Sequence, residues 1–248
     1  MKLTVIGCSG SGPGPDSPAS CYLVEHDGFR LVVDLGSGAF GPLQGVLDPA
    51  DIDAIYLSHL HADHCLDIAP FVVWHRYSAQ LRRPRVPLYA PVSADRRLAM
   101  AYADDGIGDP ITDVFDFVFV GPGAFSLGPF QVHTTRTAHP VECNAIRLQA
   151  GGRTLVYTGD TGPCRGVVEL ARGADVLLAE AAHPEVEGLP GDLHLTGRQA
   201  GEHALAAGVG RLLLTHVPTW VDREEQLRAA GSVFPGAELV SAGSVYEI

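Results

Sequence analysis

Two stretches of the chain repeat one pattern, and that repetition limits the fold more than any other feature. Cys21-Tyr-Leu-Val-Glu-His-Asp-Gly-Phe-Arg-Leu-Val-Val-Asp34 reads as strand, Asp-Gly turn and strand, ending on an aspartate before Leu35-Gly-Ser-Gly38. Asn144-Ala-Ile-Arg-Leu-Gln-Ala-Gly-Gly-Arg-Thr-Leu-Val-Tyr-Thr-Gly-Asp160-Thr-Gly reads the same way. Apolar runs on either side of a two-residue glycine turn are a hairpin signal. Each hairpin is followed by a helical stretch or loop and then an apolar strand, Ile52–Ser58 in one half and Ala174–Glu180 in the other. Arg211–Thr215 is a further strand of this kind. Apolar strands alternating with helical segments belong to sheets covered by helices. Two similar halves, about 1–125 and 126–248, therefore predict one α/β domain over residues 1–248. Its two sheets pack face to face with the helices outside, a four-layer αβ/βα sandwich.

The expected helices lie at about 64–82, 93–103, 164–172, 197–207 and 222–232. Thr196-Gly-Arg-Gln199 fits a capping box, which starts the fourth helix at Gly197 and leaves His194 on the loop just ahead of it.

Composition narrows the function classes. No apolar run approaches the roughly 18–20 residues of a membrane span, and the N-terminal segment lacks the form of a signal peptide, so a cytoplasmic, membrane-free protein is expected. The 5 cysteines are scattered and never in a C-x-x-C spacing, which reads as reduced thiols. A formal charge of −12 argues against a long polyanion, which is normally gripped by a basic face. A small anionic substrate remains compatible. The basic segment Arg76, Arg82, Arg83, Arg85, Arg96 and Arg97 reads first as solvated, with Arg76 a weak candidate substrate contact.

The chemistry concentrates in His59-Leu60-His61-Ala62-Asp63-His64, directly after the strand that ends at Ser58. Three imidazoles and a carboxylate at the end of an apolar strand cannot all be unpaired core residues. Histidine nitrogens and carboxylate oxygens suit zinc and related divalent ions.

This H-x-H-x-D-H run, read with His139 ahead of a proline, Asp160 in Tyr-Thr-Gly-Asp-Thr-Gly and His216 closing Leu-Leu-Leu-Thr-His, resembles the metallo-β-lactamase superfamily. The resemblance implies the metallo-β-lactamase fold and a site for two divalent metal ions, zinc by default with manganese or iron as alternatives. It implies that His59, His61 and His139 hold one ion, that Asp63, His64 and His216 hold the other, and that Asp160 bridges them. Asp34 matches the family's aspartate that hydrogen-bonds a ligand histidine.

Pro87-Leu-Tyr-Ala-Pro91, Gly-Asp-Thr, Ala179-Glu-Ala and His194-Leu-Thr bring the likeness closer to the ribonuclease Z-type phosphodiesterases. In that branch the histidine matching His194 assists cleavage near the metals. One departure matters: the residues between His139 and Asp160 make a single hairpin, leaving no room for a tRNA-grasping arm. The pattern is similar to small arm-less bacterial relatives, some of them cyclic-nucleotide phosphodiesterases.

The expected activity is hydrolysis of a small phosphodiester or nucleotide substrate, 3′,5′-cyclic nucleotides first, with Asp63 and His194 as catalytic groups. The alternatives are 3′-tRNA processing and, on the same site, lactone or thioester hydrolysis. A homodimer is expected by resemblance alone. Trp74-His75-Arg76-Tyr77 reads as a packed helix; His26, His133 and His203 read as structural or solvated, and His183 has no assigned role.

Overall fold

The computed structural model describes residues 1–78, 83–103 and 109–248. In the first half the strands are β1 (Lys2–Gly7), β2 (Cys21–His26), β3 (Phe29–Leu35), β4 (Ala54–Tyr56), β5 (Val86–Ala90) and β6 (Phe115–Phe119). The second half carries β7 (Gly123–Leu127), β8 (Phe130–Arg136), β9 (Asn144–Ala150), β10 (Arg153–Tyr157), β11 (Val176–Glu180), β12 (Arg211–Thr215), β13 (Glu238–Leu239) and β14 (Val245–Glu247). Among the described residues they form two seven-stranded sheets, ordered β14-β1-β2-β3-β4-β5-β6 and β13-β12-β11-β10-β9-β8-β7.

The two orders mirror each other because each half repeats one unit. The β2–β3 hairpin continues into parallel β4, and the β9–β10 hairpin into parallel β11. Both hairpins close on two residues of positive φ, Asp27-Gly28 (48° and 80°) and Gly151-Gly152 (58° and 73°). That is the conformation a tight two-residue turn needs to match strand twist.

Between the sheets, Leu3, Tyr22, Val24 and Val33 meet Phe130, Ile146, Leu148 and Leu178, all buried. Truncating one such side chain to alanine costs about 2–5 kcal/mol. A second core lies under α1 (Phe40–Gln44), α3 (Ile68–Tyr77) and α4 (Ala94–Tyr102), with Phe40, Phe71 and Leu98 facing Val32, Ile55 and Leu88. A third lies under α5 (Arg165–Ala171), α6 (Gly197–Ala207) and α7 (Arg223–Gly231). The arrangement is the four-layer αβ/βα sandwich that the repeat implied.

Two boundaries differ from the sequence reading. The helix expected over 64–82 is two pieces, α2 (Ala62–Cys65) and α3, and its last residues, 79–82, lie outside the described residues. The break sits at Asp67, whose N–H donates to Leu35 O (3.1 Å) while its Oδ2 accepts from Phe40 N (2.8 Å). The strand expected over Ile52–Ser58 is only β4. At its start Ile52 caps the 3-10 turn Pro49–Asp51 through its N–H to Pro49 O, and at its end the Ser58 N–H donates to Asp34 Oδ1 (2.7 Å) rather than to a strand.

Helix α6 begins as expected: Thr196 and Gln199 exchange both capping-box bonds and Gly197 is its first residue. Among the described residues no helix is long and apolar enough to cross a membrane.

Candidate metal centre

Strands β3, β4, β8, β10, β11 and β12 all run toward one end of the sandwich. At or just beyond their carboxyl ends lie Asp34, His59, His139, Asp160, Glu180 and His216, the place where sheets of this type expose functional loops. The loop after β4 carries His59 and His61, and α2 carries Asp63 and His64.

Among the described residues these side chains converge in two four-residue groups, and Asp160, Glu180 and His194 form a smaller third. His59, His61, His139 and Asp160 form one; Asp63, His64, His216 and Asp160 form the other, so that Asp160 belongs to both. In the first, His59 Nε2 and His139 Nε2 lie 3.1 and 3.3 Å from His61 Nδ1, and His59 Nε2 lies 3.6 Å from Asp160 Oδ2. In the second, His64 Nε2 lies 3.1 Å from Asp160 Oδ1 and 3.5 Å from Asp63 Oδ2. His216 Nε2 lies 3.4 Å from Asp160 Oδ1 and 3.6 Å from Asp63 Oδ2.

A tetrahedral cation bound at 2.0–2.1 Å separates neighbouring donor atoms by about 3.3 Å. The measured separations are edges of that size. His64 Nε2, Asp160 Oδ1 and His216 Nε2 are fully buried without a hydrogen-bond partner, a costly arrangement for polar atoms unless a cation takes their lone pairs. Both groups are thus able to hold metal ions.

The nitrogens turned away from the centre are held in place. Asp34 Oδ2 lies 2.8 Å from His64 Nδ1, Ser58 Oγ 3.1 Å from His59 Nδ1, Ser20 Oγ 2.9 Å from His216 Nδ1 and Leu193 O 3.0 Å from His139 Nδ1. Such contacts fix ring orientation and tautomer. Asp34 also accepts from Ser58 Oγ (2.8 Å) and Tyr157 Oη (2.9 Å). Gly36 brings the chain so close to Asp63 that a side chain there would strike the Asp63 carbonyl oxygen.

The electrostatics favour positive charge at the centre. Burial, with neighbouring imidazoles adding to it, holds His59 well below the usual histidine range, and burial brings His216 down to about 4. Burial also pulls on His64, but the Asp160 and Asp34 carboxylates outweigh it and raise that group well above its ordinary value. Burial would raise Asp160, yet His216, His64 and His59 together hold it well below the carboxylate range.

His194 stands beside the centre, its Nδ1 2.9 Å from Glu180 Oε1 and 3.9 Å from Asp160 Oδ2. Glu180 is fully buried and also accepts from Thr161 N (2.8 Å) and Ala182 N (3.0 Å). Burial pulls His194 down, but Glu180 and Asp160 overcome it and lift it to about 9.

Every metal-type residue singled out in the sequence, with Asp34 and His194, is thus brought to one place. Arg76 is not brought there. Its guanidinium is engaged by Asp109 (2.7 Å) and Asp113 (2.7 Å), and Arg83 stacks on Trp74 at 4.0 Å. Arg82 lies outside the described residues. Sequence reasoning missed Ser20, Ser58, Tyr157 and the role of Glu180. For Glu180 a signal existed: a carboxylate in the apolar run of β11 needs a buried partner.

Comparison with known proteins agrees with this geometry. An uncharacterized protein of Mycobacterium leprae, ML1173, is 42% identical over 253 residues, covering 100% of this chain and 89% of its own. The probable metallo-hydrolase YhfI of Bacillus subtilis is 31% identical with 100% of both chains covered. Its crystal structure, described as a metallo-beta-lactamase fold protein, superposes with a TM-score of 0.88 over 100% of this chain and 99% of that one, at 30% identity. The ribonuclease Z of Mycolicibacterium gilvum is 29% identical over 88% of this chain and 85% of its own. The family model described as a beta-lactamase superfamily domain matches residues 30–217. With that match and a full-length metallo-hydrolase relative, the chain belongs to the beta-lactamase superfamily as a metallo-hydrolase related to ribonuclease Z.

Proposed function

We propose that the chain hydrolyses small phosphodiesters at a pair of divalent ions, zinc first among them, with 3′,5′-cyclic nucleotides as the leading substrates. The observation that carries this reading is the sharing of Asp160 by both donor groups, with His194 beside them. In this reading His59, His61 and His139 would hold one ion and Asp63, His64 and His216 the other, with Asp160 common to both groups. When bound, such a pair supplies Lewis acidity at the phosphoryl oxygens and a water of lowered pKa.

The chain's own residues do the rest. Burial keeps His59, His139 and His216 below the usual histidine range, so their lone pairs stay free for a cation near neutral pH. Asp63 would be raised by burial, but His64 and His216 hold it below the carboxylate range. It is ionised and can help to position the attacking hydroxide. Glu180 engages Nδ1 of His194, so that Nε2 is the nitrogen that would serve the substrate. With its pKa near 9, His194 is protonated at neutral pH and can donate to the leaving oxygen.

Two features favour a small substrate. The net charge of −12 repels long polyanions. The segment from His139 to Asp160 is occupied by the β9–β10 hairpin, closed by Gly151-Gly152. The relationship to ribonuclease Z supports phosphodiester chemistry over lactone or thioester hydrolysis.

The test is turnover of bis(p-nitrophenyl) phosphate, a p-nitrophenyl ester and a lactone by metal-loaded protein, with metal content measured alongside. Diester hydrolysis that stops on chelation supports the proposal. Fast ester or lactone hydrolysis without diester turnover contradicts it.

A further inference from the structure

His183 follows β11 by three residues, on the segment that leads to His194. Its N–H donates to Leu195 O (3.0 Å), which ties the start of this segment to its end. The two imidazoles meet edge to face, with centroids 5.2 Å apart and planes at 81°. Glu180 engages Nδ1 of His194. Among the described residues neither ring nitrogen of His183 has a hydrogen-bond partner, and the side chain is only partly buried. The His194 ring also lies 5.7 Å from His139 and 5.8 Å from His216, centroid to centroid. His183 therefore lies one ring further from the centre than His194.

The chemistry of a ribose phosphodiester fits two such neighbours. When the 3′-oxygen leaves, the adjacent polar group on the departing sugar is the 2′-hydroxyl. A donor serving the 3′-oxygen and a second imidazole beside it present hydrogen-bonding groups to two vicinal oxygens. Resting on the phosphodiesterase reading above, we propose that His183 is a specificity residue that hydrogen-bonds the ribose 2′-hydroxyl next to the leaving 3′-oxygen. The site then selects ribonucleotide over deoxyribonucleotide phosphodiesters. Among the described residues His183 is in none of the groups that could hold a metal, and the one ring it packs on, His194, lies outside the two donor sets assigned to the ions above.

The test compares 3′,5′-cyclic AMP with its 2′-deoxy analogue on zinc-loaded wild type, His183→Ala and His183→Gln, measuring kcat, KM and zinc content. One hydrogen bond to a hydroxyl corresponds to a preference of about tenfold or less in kcat/KM for the ribose form. The wild type should show that preference. His183→Ala should abolish it mainly through a higher KM for the ribose substrate, at unchanged zinc content, and His183→Gln should restore part of it. A wild type that hydrolyses both substrates equally, or a preference that survives in His183→Ala, overturns the inference and leaves the phosphodiesterase reading standing. Lost zinc in His183→Ala would make the residue structural and also overturn it. Hydrolysis of neither cyclic nucleotide removes the substrate class on which it rests.

Discussion

Asp34 Oδ2 and His64 Nδ1 lie 2.8 Å apart, both side chains fully buried, and Asp34 reaches this position with a left-handed backbone, φ 57°. A non-glycine residue in that region costs about 1–3 kcal/mol and persists where its surroundings over-determine it. Here they do: Ser58 N, Ser58 Oγ and Tyr157 Oη all donate to the same carboxylate.

Asp34→Asn removes acceptor capacity from that knot at almost unchanged volume. Metal affinity should fall about 10–100-fold, as for other groups that orient a ligand histidine. Chelator competition measures it, with circular dichroism reporting an intact fold. An unchanged affinity would show that Asp34 does not orient His64.

Metal removal should also be visible as lost stability. A ligand present at about 1,000 times its Kd contributes roughly 4 kcal/mol, or about 10 °C in Tm for a domain of this size. Chelation should lower Tm by that order and added zinc should restore it. His64→Ala should abolish turnover, retain the native circular dichroism spectrum and shrink the metal-dependent shift.

His194→Ala and Glu180→Gln should act on the same step. Loss of a proton donor lowers kcat about 10²–10⁴-fold when the leaving oxygen is a poor one, as in a cyclic nucleotide. The loss should be smaller for bis(p-nitrophenyl) phosphate, whose leaving phenolate needs little protonation. Metal content should stay at the wild-type level in His194→Ala; complete loss of metal there would contradict the donor role.

Arg76 has a structural consequence of its own. Hydrogen bonds from its guanidinium hold Asp113 and Asp109 below their ordinary values. Carboxylates depressed in the folded state contribute stability above their unfolded value of about 3.9 and lose it as pH falls through the folded one. Arg76→Met should therefore lower Tm by about 3 °C or less at pH 7, since these pairs are partly solvated. The gap should close on acidification below about pH 4. A gap that widens in acid would contradict the pairing.

The hairpins, the His59–His64 run and the capping box of Thr196 and Gln199 were legible because each is a local pattern of spacing and turn chemistry. The supports of the centre were not. Ser20, Ser58, Tyr157 and Glu180 sit on or beside apolar strands; Ser20 and Tyr157 meet His216 and Asp34 only after the two sheets have packed, and Ser58 and Glu180 meet Asp34 and His194 across neighbouring elements of one half. Tyr157 and Asp34 are 123 residues apart in sequence. The break between α2 and α3 was hidden for the same reason, since Asp67 is held by Leu35 and Phe40 from distant elements. His203, read as structural or solvated, is structural: its Nε2 accepts from Cys164 N (3.0 Å) just ahead of α5.

The most direct test of the central claim is a side-by-side assay of metal-loaded protein on cyclic AMP, bis(p-nitrophenyl) phosphate and a precursor tRNA. The account predicts turnover of the first two, abolished by chelation, and no specific cleavage of the tRNA. Specific tRNA cleavage without cyclic-nucleotide turnover would contradict it, and would mean that the short β9–β10 hairpin does not bar a large substrate.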